Sequence, residues 1–188
     1  MRIALALSLA VLLAALSVAA APSKKPVHKP PPLDQLFAKL KQADSAEDAK
    51  PIEEQIQALF AESGSPSVDL LMARGSAALE GGDDDTAKKL FDAITDIAPD
   101  FAEAWHQKAL MQQDAGDDEG AMVSLQKTVT LNPRQFAAMS ELGDMLEGYG
   151  NKQGALTLYR RAIALDPQLE GAAKHLRALE KDVEGQGI

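Results

Sequence analysis

The residues that could carry chemistry in this chain are three histidines and two runs of acidic residues. His28, His106 and His175 fall in three separate segments, without the spacing of metal ligands. The acidic runs, Asp83–Asp85 and Asp114–Glu119, lack the alternating oxygen ligands and the terminal glutamate of a calcium loop. No serine lies in a Gly-X-Ser-X-Gly turn, and no glycine-rich phosphate loop is present. We therefore predict no enzyme activity, no cofactor and no metal site.

The segments that carry these residues repeat with a period of 34. Proline recurs at Pro99, Pro133 and Pro167, in each case two residues after an apolar residue. Agreement of several residue types on one period indicates a repeat architecture, in which each unit buries its apolar face against the next. The same spacing holds for a glycine, a polar residue and an alanine in every unit: Gly82, Gly116 and Gly150; Asp83, Asp117 and Asn151; Ala87, Ala121 and Ala155.

Each unit is predicted to contain two helices joined by a tight turn. The glycine ends the first helix because it enters the left-handed conformation cheaply, and the Asp or Asn that follows caps the second. The proline ends the second helix, because it pushes the preceding residue out of helical geometry. Small residues recur where the two helices cross, and larger apolar ones beside the crossing: Gly75, Ala109 and Gly143; Ala87, Ala121 and Ala155; Leu71, Trp105 and Met139; Phe91, Leu125 and Tyr159.

This pattern resembles the tetratricopeptide repeat (TPR) family, whose characteristic small, large and proline positions are occupied by the residues above. The chain also resembles a group of small exported bacterial TPR proteins. The resemblance implies an all-α, TPR-type helical solenoid with three full repeats at 68–101, 102–135 and 136–169. Position 7, usually leucine in the family, is Arg74 and Lys108 in the first two repeats, which predicts a less apolar seam early in the array. Position 11, usually tyrosine, is Ala78, Gln112 and Leu146.

The flanks of the repeats are also predicted to be helical. Residues 33–64 carry two apolar helical faces, and we interpret them as a degenerate repeat that caps the N-terminal end of the array. Asp48 is predicted to cap the second helix of this pair, with Pro51 in the first turn. A single amphipathic helix at 170–183 should cover the third repeat, and 184–188 should form a loose tail.

Residues 1–20 have the pattern of a signal peptide. Arg2 precedes an apolar run, and Val18-Ala19-Ala20 provides small residues for cleavage after Ala20. The alternative is an uncleaved anchor, since Ile3–Ala21 is just long enough to span a bilayer. Both interpretations place the rest of the protein on the outer side of the membrane. The chain has no cysteine and no Asn-X-Ser/Thr sequon, which favours a periplasmic or secreted bacterial protein.

Charge is divided unevenly along the chain. Residues 21–32 form a basic, proline-rich segment, which we predict to be an extended linker. The whole chain has a net charge of −9, and cleavage after Ala20 would remove one arginine and no acid, which leaves −10. This charge disfavours nucleic acid and anionic lipid surfaces as partners and favours basic ones.

The resemblance to TPR proteins implies a ligand site in the concave groove lined by the first helices. At the family's groove positions this chain has six carboxylates and no lysine or arginine, so it lacks the clamp that holds acidic chaperone tails. We predict a partner segment with basic and apolar side chains, although the carboxylates could instead form a solvated face. The predicted groove residues are Asp69, Met72, Glu103, His106, Leu110, Asp114, Asp144 and Glu147. The alternative function is a self-associating or structural envelope scaffold that uses the convex face or the array end.

Overall fold

The structure, a computed structural model, describes residues 32–184. The predicted signal peptide, the linker up to residue 31 and residues 185–188 lie outside this range. None of the described helices is long and apolar enough to cross a membrane. Within the described range the chain forms nine α-helices and no strand: α1 (Leu33–Leu40), α2 (Ala46–Phe60), α3 (Pro66–Glu80), α4 (Asp84–Ile97), α5 (Ala102–Asp114), α6 (Asp118–Leu131), α7 (Phe136–Gly148), α8 (Lys152–Leu165) and α9 (Ala172–Glu184).

The three repeats are the helix pairs α3–α4, α5–α6 and α7–α8, with the predicted turn chemistry. Gly82, Gly116 and Gly150 have φ angles of 73°, 74° and 81°, which glycine adopts without strain. The residue after each glycine caps the next helix through its side chain, so Asp83 accepts a hydrogen bond from the Thr86 amide at 3.1 Å. Asp117 and Asn151 cap α6 and α8 in the same way. The glycine turn and the side-chain cap therefore recur in all three repeats.

Small residues allow the two helices of each repeat to pack closely. A Cβ atom at Gly75 would lie 2.7 Å from the Phe91 ring, and one at Gly143 would lie 3.0 Å from the Tyr159 ring. The alanines that face these crossings from the second helices are fully buried: Ala87, Ala121 and Ala155. Residues of these sizes are therefore required by the packing, as the period of 34 predicts.

The N-terminal helix pair, α1 and α2, forms where predicted but packs elsewhere. Leu36, Phe37 and Ile56 belong to the apolar cluster of repeats 2 and 3, and the Phe37 ring lies 6.2 Å from that of Phe136. Within the described range, no buried residue of the pair belongs to the cluster built around α3 and α4. The interpretation of the pair as an N-terminal cap is therefore wrong. Its helix crossing lacks the small residues of the repeats, so the pair does not stack as a fourth unit.

The start of α2 also differs from the prediction. Ser45 is the N-cap, and its hydroxyl accepts from the Asp48 amide at 3.2 Å and donates to the Asp48 carboxylate at 2.7 Å. Asp48 is thus the third residue of a reciprocal cap rather than the cap itself. As a result Pro51 lies inside the helix instead of in its first turn.

Helix α9 covers the third repeat, as predicted. Ala172 and Leu179 are buried against α8, in a cluster with Ala155, Leu156 and Tyr159. The helix therefore shields from water the apolar flank that a last repeat would otherwise expose.

Candidate partner-binding surface

Two of the predicted groove residues, Glu103 and His106, lie in a buried polar network instead of on an open surface. Their side chains are 6% and 5% exposed. His106 Nε2 donates to Glu141 Oε2 at 2.8 Å, and its Nδ1 lies 3.7 Å from Glu103 Oε2. Gln135 Nε2, at the start of α7, donates to Glu103 Oε2 at 3.0 Å. Helices α5 and α7 are therefore joined by an imidazole held between two carboxylates.

This arrangement keeps His106 charged at neutral pH. Burial disfavours the imidazolium, but the close Glu103 carboxylate and the hydrogen bond to Glu141, together with the negative charges of both groups, outweigh it and raise the pKa of His106 to about 10. The charge of Glu103 is thus already compensated inside the protein. Glu103 and His106 are not available to hold a basic partner, contrary to the prediction.

The N-terminal helix pair lies over this network. Gln57 of α2 and Gln135 exchange hydrogen bonds through their side-chain amides at 3.1 and 3.2 Å. Beside them the Arg134 guanidinium pairs with Asp34 at 2.6 Å and lies 3.9 Å from the centre of the Phe37 ring. The pair therefore covers the N-terminal ends of α5 and α7, where the concave groove was predicted to be open.

Asp144 and Glu147 have partners inside the protein at the other end of the array. Both accept hydrogen bonds from the Tyr159 hydroxyl, and Glu147 Oε2 also lies 2.8 Å from His175 Nδ1 of α9. Burial, reinforced by these two carboxylates, raises the pKa of Tyr159. The two carboxylates therefore hold α7, α8 and α9 together.

The remaining predicted residues are divided between packing and solvent. Asp69 accepts from the amide and hydroxyl of Ser63, which lowers the pKa of its carboxyl and fixes the loop between α2 and α3. Met72 is 5% exposed in the core of repeat 1, and Leu110 is half-buried. Asp114 is exposed at the C-terminal end of α5. It is the predicted groove residue that lines an open cavity.

This cavity is a crevice of about 360 Å³ between repeats 1 and 2. Its apolar walls include Leu79, Phe91 and Met111. The charged residues of its lining carry a net charge of −3, since they comprise five aspartates and two lysines: Asp84, Asp85, Asp92, Asp114, Asp117, Lys88 and Lys108. An apolar interior with an acidic rim suits a segment that carries both apolar and basic side chains.

Both lysines of the crevice are engaged with one aspartate. Lys88 Nζ lies 2.7 Å from Asp92 Oδ2, and Lys108 Nζ lies 2.8 Å from Asp92 Oδ1. Burial of Asp92 opposes ionisation, but hydrogen bonds from the two lysines prevail and lower the pKa of this carboxyl. Among the residues that the structure describes, Asp84, Asp85 and Asp114 have no side-chain partner. These three carboxylates are available to a ligand.

The sequence contains a signal for the crevice that our groove prediction did not use. Lys108 and Gln112, which line the crevice, stand where the TPR family usually has leucine and tyrosine. The lysine head group turns to Asp92, and the Gln112 amide donates to Asp117 at 3.1 Å. Both polar head groups thus bond to aspartates that also line the crevice. In the part of the chain described by the structure, no group of three or more acidic or histidine residues could hold a metal ion.

Comparison with known proteins finds the same repeats. A TPR repeat-containing protein of Rhizobium etli is 30% identical over 104 residues, which are 55% of this chain and 51% of the relative. The chain thus spans about half the length of the curated relative that it matches. No family model matches the chain.

Solved structures extend the likeness to three dimensions. The first TPR of Spaghetti (RPAP3), bound to the HSP90 peptide SRMEEVD, has a TM-score of 0.56 at 20% identity, over 62% of this chain and 93% of that one. An O-GlcNAc transferase of Thermobaculum terrenum has a TM-score of 0.53 at 25% identity, over 60% of this chain but 22% of the enzyme. These likenesses confirm the resemblance to the TPR family and the all-α, TPR-type solenoid.

Proposed function

We propose that this protein is a non-catalytic interaction module of the bacterial periplasm, and that it binds a basic and apolar segment of another protein. The crevice between repeats 1 and 2 carries this proposal, because it combines apolar walls with three unpartnered carboxylates. The binding surface is thus the crevice at Asp114, rather than the whole concave groove. The signal-peptide pattern of residues 1–20 supports the periplasmic location.

The charge of the crevice defines the partner more sharply than the fold does. The TPR of Spaghetti holds a peptide, SRMEEVD, with three acidic residues and one arginine. An acidic segment of this kind would be repelled by Asp84, Asp85 and Asp114. A lysine or arginine with apolar neighbours would place its cation among these carboxylates and its apolar atoms against the partly exposed Leu79 and Met111.

Crosslinking in the cell envelope, followed by mass spectrometry, tests this proposal. The tagged wild-type protein is compared with the variant Asp85→Lys/Asp114→Lys, which reverses two exposed charges at the crevice. We expect the variant to lose at least about tenfold of the recovered partner, because it places like charges opposite the partner's basic groups. The variant should keep the fold, since both side chains are exposed.

The matched control is Asp96→Lys/Asp100→Lys, which makes the same change of charge at two exposed aspartates outside the crevice. The control should recover the partner as the wild type does. Equal recovery from all three proteins would contradict the crevice as the binding site. Equal loss in both variants would show that only total charge matters.

A self-associating scaffold is the second candidate, and one observation favours it. Leu70, Ile97 and Val123 are large apolar residues that are 62%, 61% and 63% exposed. Contact between copies of the chain would remove these side chains from water. Sedimentation at increasing concentration distinguishes the candidates: a monomer throughout supports the adaptor, and concentration-dependent association supports the scaffold.

A further inference from the structure

Two acidic side chains face each other where the N-terminal helix pair contacts repeat 3. Asp166, in the loop after α8, is fully buried, and its Oδ2 atom has no hydrogen-bond partner among the described residues. The other oxygen, Oδ1, accepts from the Gln168 amide at 3.0 Å. The half-buried carboxyl of Glu53, on α2, lies within hydrogen-bonding reach of Asp166. If both groups are ionised, a buried lone pair is left unsatisfied and two like charges meet.

One proton on Glu53 removes both the unsatisfied oxygen of Asp166 and the repulsion between the two carboxylates. A protonated Glu53 donates to Asp166 and leaves a single negative charge, which the Gln168 amide also stabilises. The contact then joins α2 to the loop after α8. The other charged groups that act on Glu53 are Lys50 and Glu54, both on α2, and their effects oppose each other.

The rest of the contact between the helix pair and the repeats is partly polar and partly apolar, since Leu36, Phe37 and Ile56 share the apolar cluster of repeats 2 and 3. The Gln168 side chain donates to the Ala43 carbonyl at 3.0 Å, while the paired amides of Gln57 and Gln135 and the ion pair of Asp34 complete the polar part. Phe37 supplies an apolar anchor against Phe136. The loop at 61–65 is the described chain connection between the pair and α3, so displacement of the pair interrupts no helix of the repeats.

We propose that the N-terminal helix pair is a detachable cover of the concave surface of repeats 2 and 3, held in place when Glu53 and Asp166 share one proton. Detachment exposes the surface around Phe136, Gln135 and Glu103. This inference concerns a different surface from the crevice and does not depend on the crevice binding a partner.

The direction of the pH effect follows from the carboxyl pair. Burial, and then the charge of Asp166, raise the pKa of Glu53 from its ordinary 4.5 to about 7, and burial also raises the pKa of Asp166. A detached pair returns Glu53 to its ordinary pKa. The attached state therefore binds the extra proton, so the contribution of the carboxyl pair is fully present below about pH 4.5 and is lost as the pH rises to about 7. Because Glu53 is partly exposed, we expect a loss on the order of 10- to 100-fold in the attachment equilibrium.

Hydrogen–deuterium exchange of the protein tests this proposal. Protection of the α1 and α2 amides is measured at about pH 5 and about pH 8, after correction for the intrinsic pH dependence of exchange, with α7 and α8 as internal references. In the wild type, protection of α1 and α2 should fall by on the order of 10- to 100-fold at the higher pH, while α7 and α8 stay protected.

Two variants and one control decide the outcome. Glu53→Gln can still donate to Asp166 but carries no charge, and Asp166→Asn keeps an oxygen for the Gln168 amide. Each should abolish the pH dependence in α1 and α2. Glu54→Gln, at an exposed carboxyl on the same helix, should keep it. Equal wild-type protection at both pH values, or a pH response that survives in Glu53→Gln, would overturn the proposal.

Discussion

Replacement of Ala155 by glutamate is expected to lower the free energy of unfolding by about 3–5 kcal/mol. Ala155 is fully buried on α8, at the crossing where Gly143 lets α7 approach. A glutamate side chain would have to enter this space without a cationic partner, or force the two helices apart. Urea denaturation followed by circular dichroism measures the loss.

The control is Ala164→Glu, which adds the same side chain to an exposed position of the same helix. It should cost less than about 1 kcal/mol. Equal stability of Ala155→Glu and the wild type would contradict the assigned crossing. A variant of Ala155 that does not fold where Ala164→Glu folds would agree with it.

Replacement of His106 by leucine is expected to cost on the order of 3 kcal/mol at neutral pH, because Glu103 and Glu141 lose their cation. The variant should also change the pH profile. In the wild type, the contribution of His106 is fully present below its ordinary pKa of 6.5 and is lost as the pH rises towards about 10. Urea denaturation between about pH 6 and about pH 10 should show this decline in the wild type but not in the variant.

The second histidine–glutamate contact provides the control for this prediction. His175 also lies 2.8 Å from a glutamate, but its side chain is 44% exposed. His175→Leu should therefore cost less than about 1 kcal/mol. A similar loss of unfolding free energy in both variants would show that burial does not strengthen the contacts of His106.

The repeats could be predicted from the sequence because their signals are local. The glycine, the capping residue and the proline each act within one turn of the chain, and the small residues meet within one helix pair. The N-terminal helix pair could not be placed in this way. Its position depends on contacts such as Asp34 with Arg134, which are 100 residues apart. A periodic pattern in the sequence does not predict a contact between such distant residues.

The candidate site, too, has a part that the sequence could predict and a part that it could not. Family positions identified which first-helix residues face the concave side, but not which internal partners they have. Glu103 meets Gln135 only because α7 begins beside α5, and Glu147 meets His175 only because α9 packs against repeat 3. The crevice was more predictable, since Lys108 and Gln112 depart from the family pattern on its walls.

The position of the N-terminal helix pair decides whether the concave groove is covered, and a crosslink between introduced cysteines tests this position directly. The chain has no cysteine, so Ala43→Cys/Gln168→Cys introduces one defined pair for a short bis-maleimide. Ala43→Cys/Ala77→Cys is the alternative pair, because a helix pair stacked on repeat 1 would bring its turn beside the end of α3. We predict an intramolecular crosslink in the first variant and none in the second. A crosslink to residue 77 without one to residue 168 would contradict the cover and restore an open concave groove.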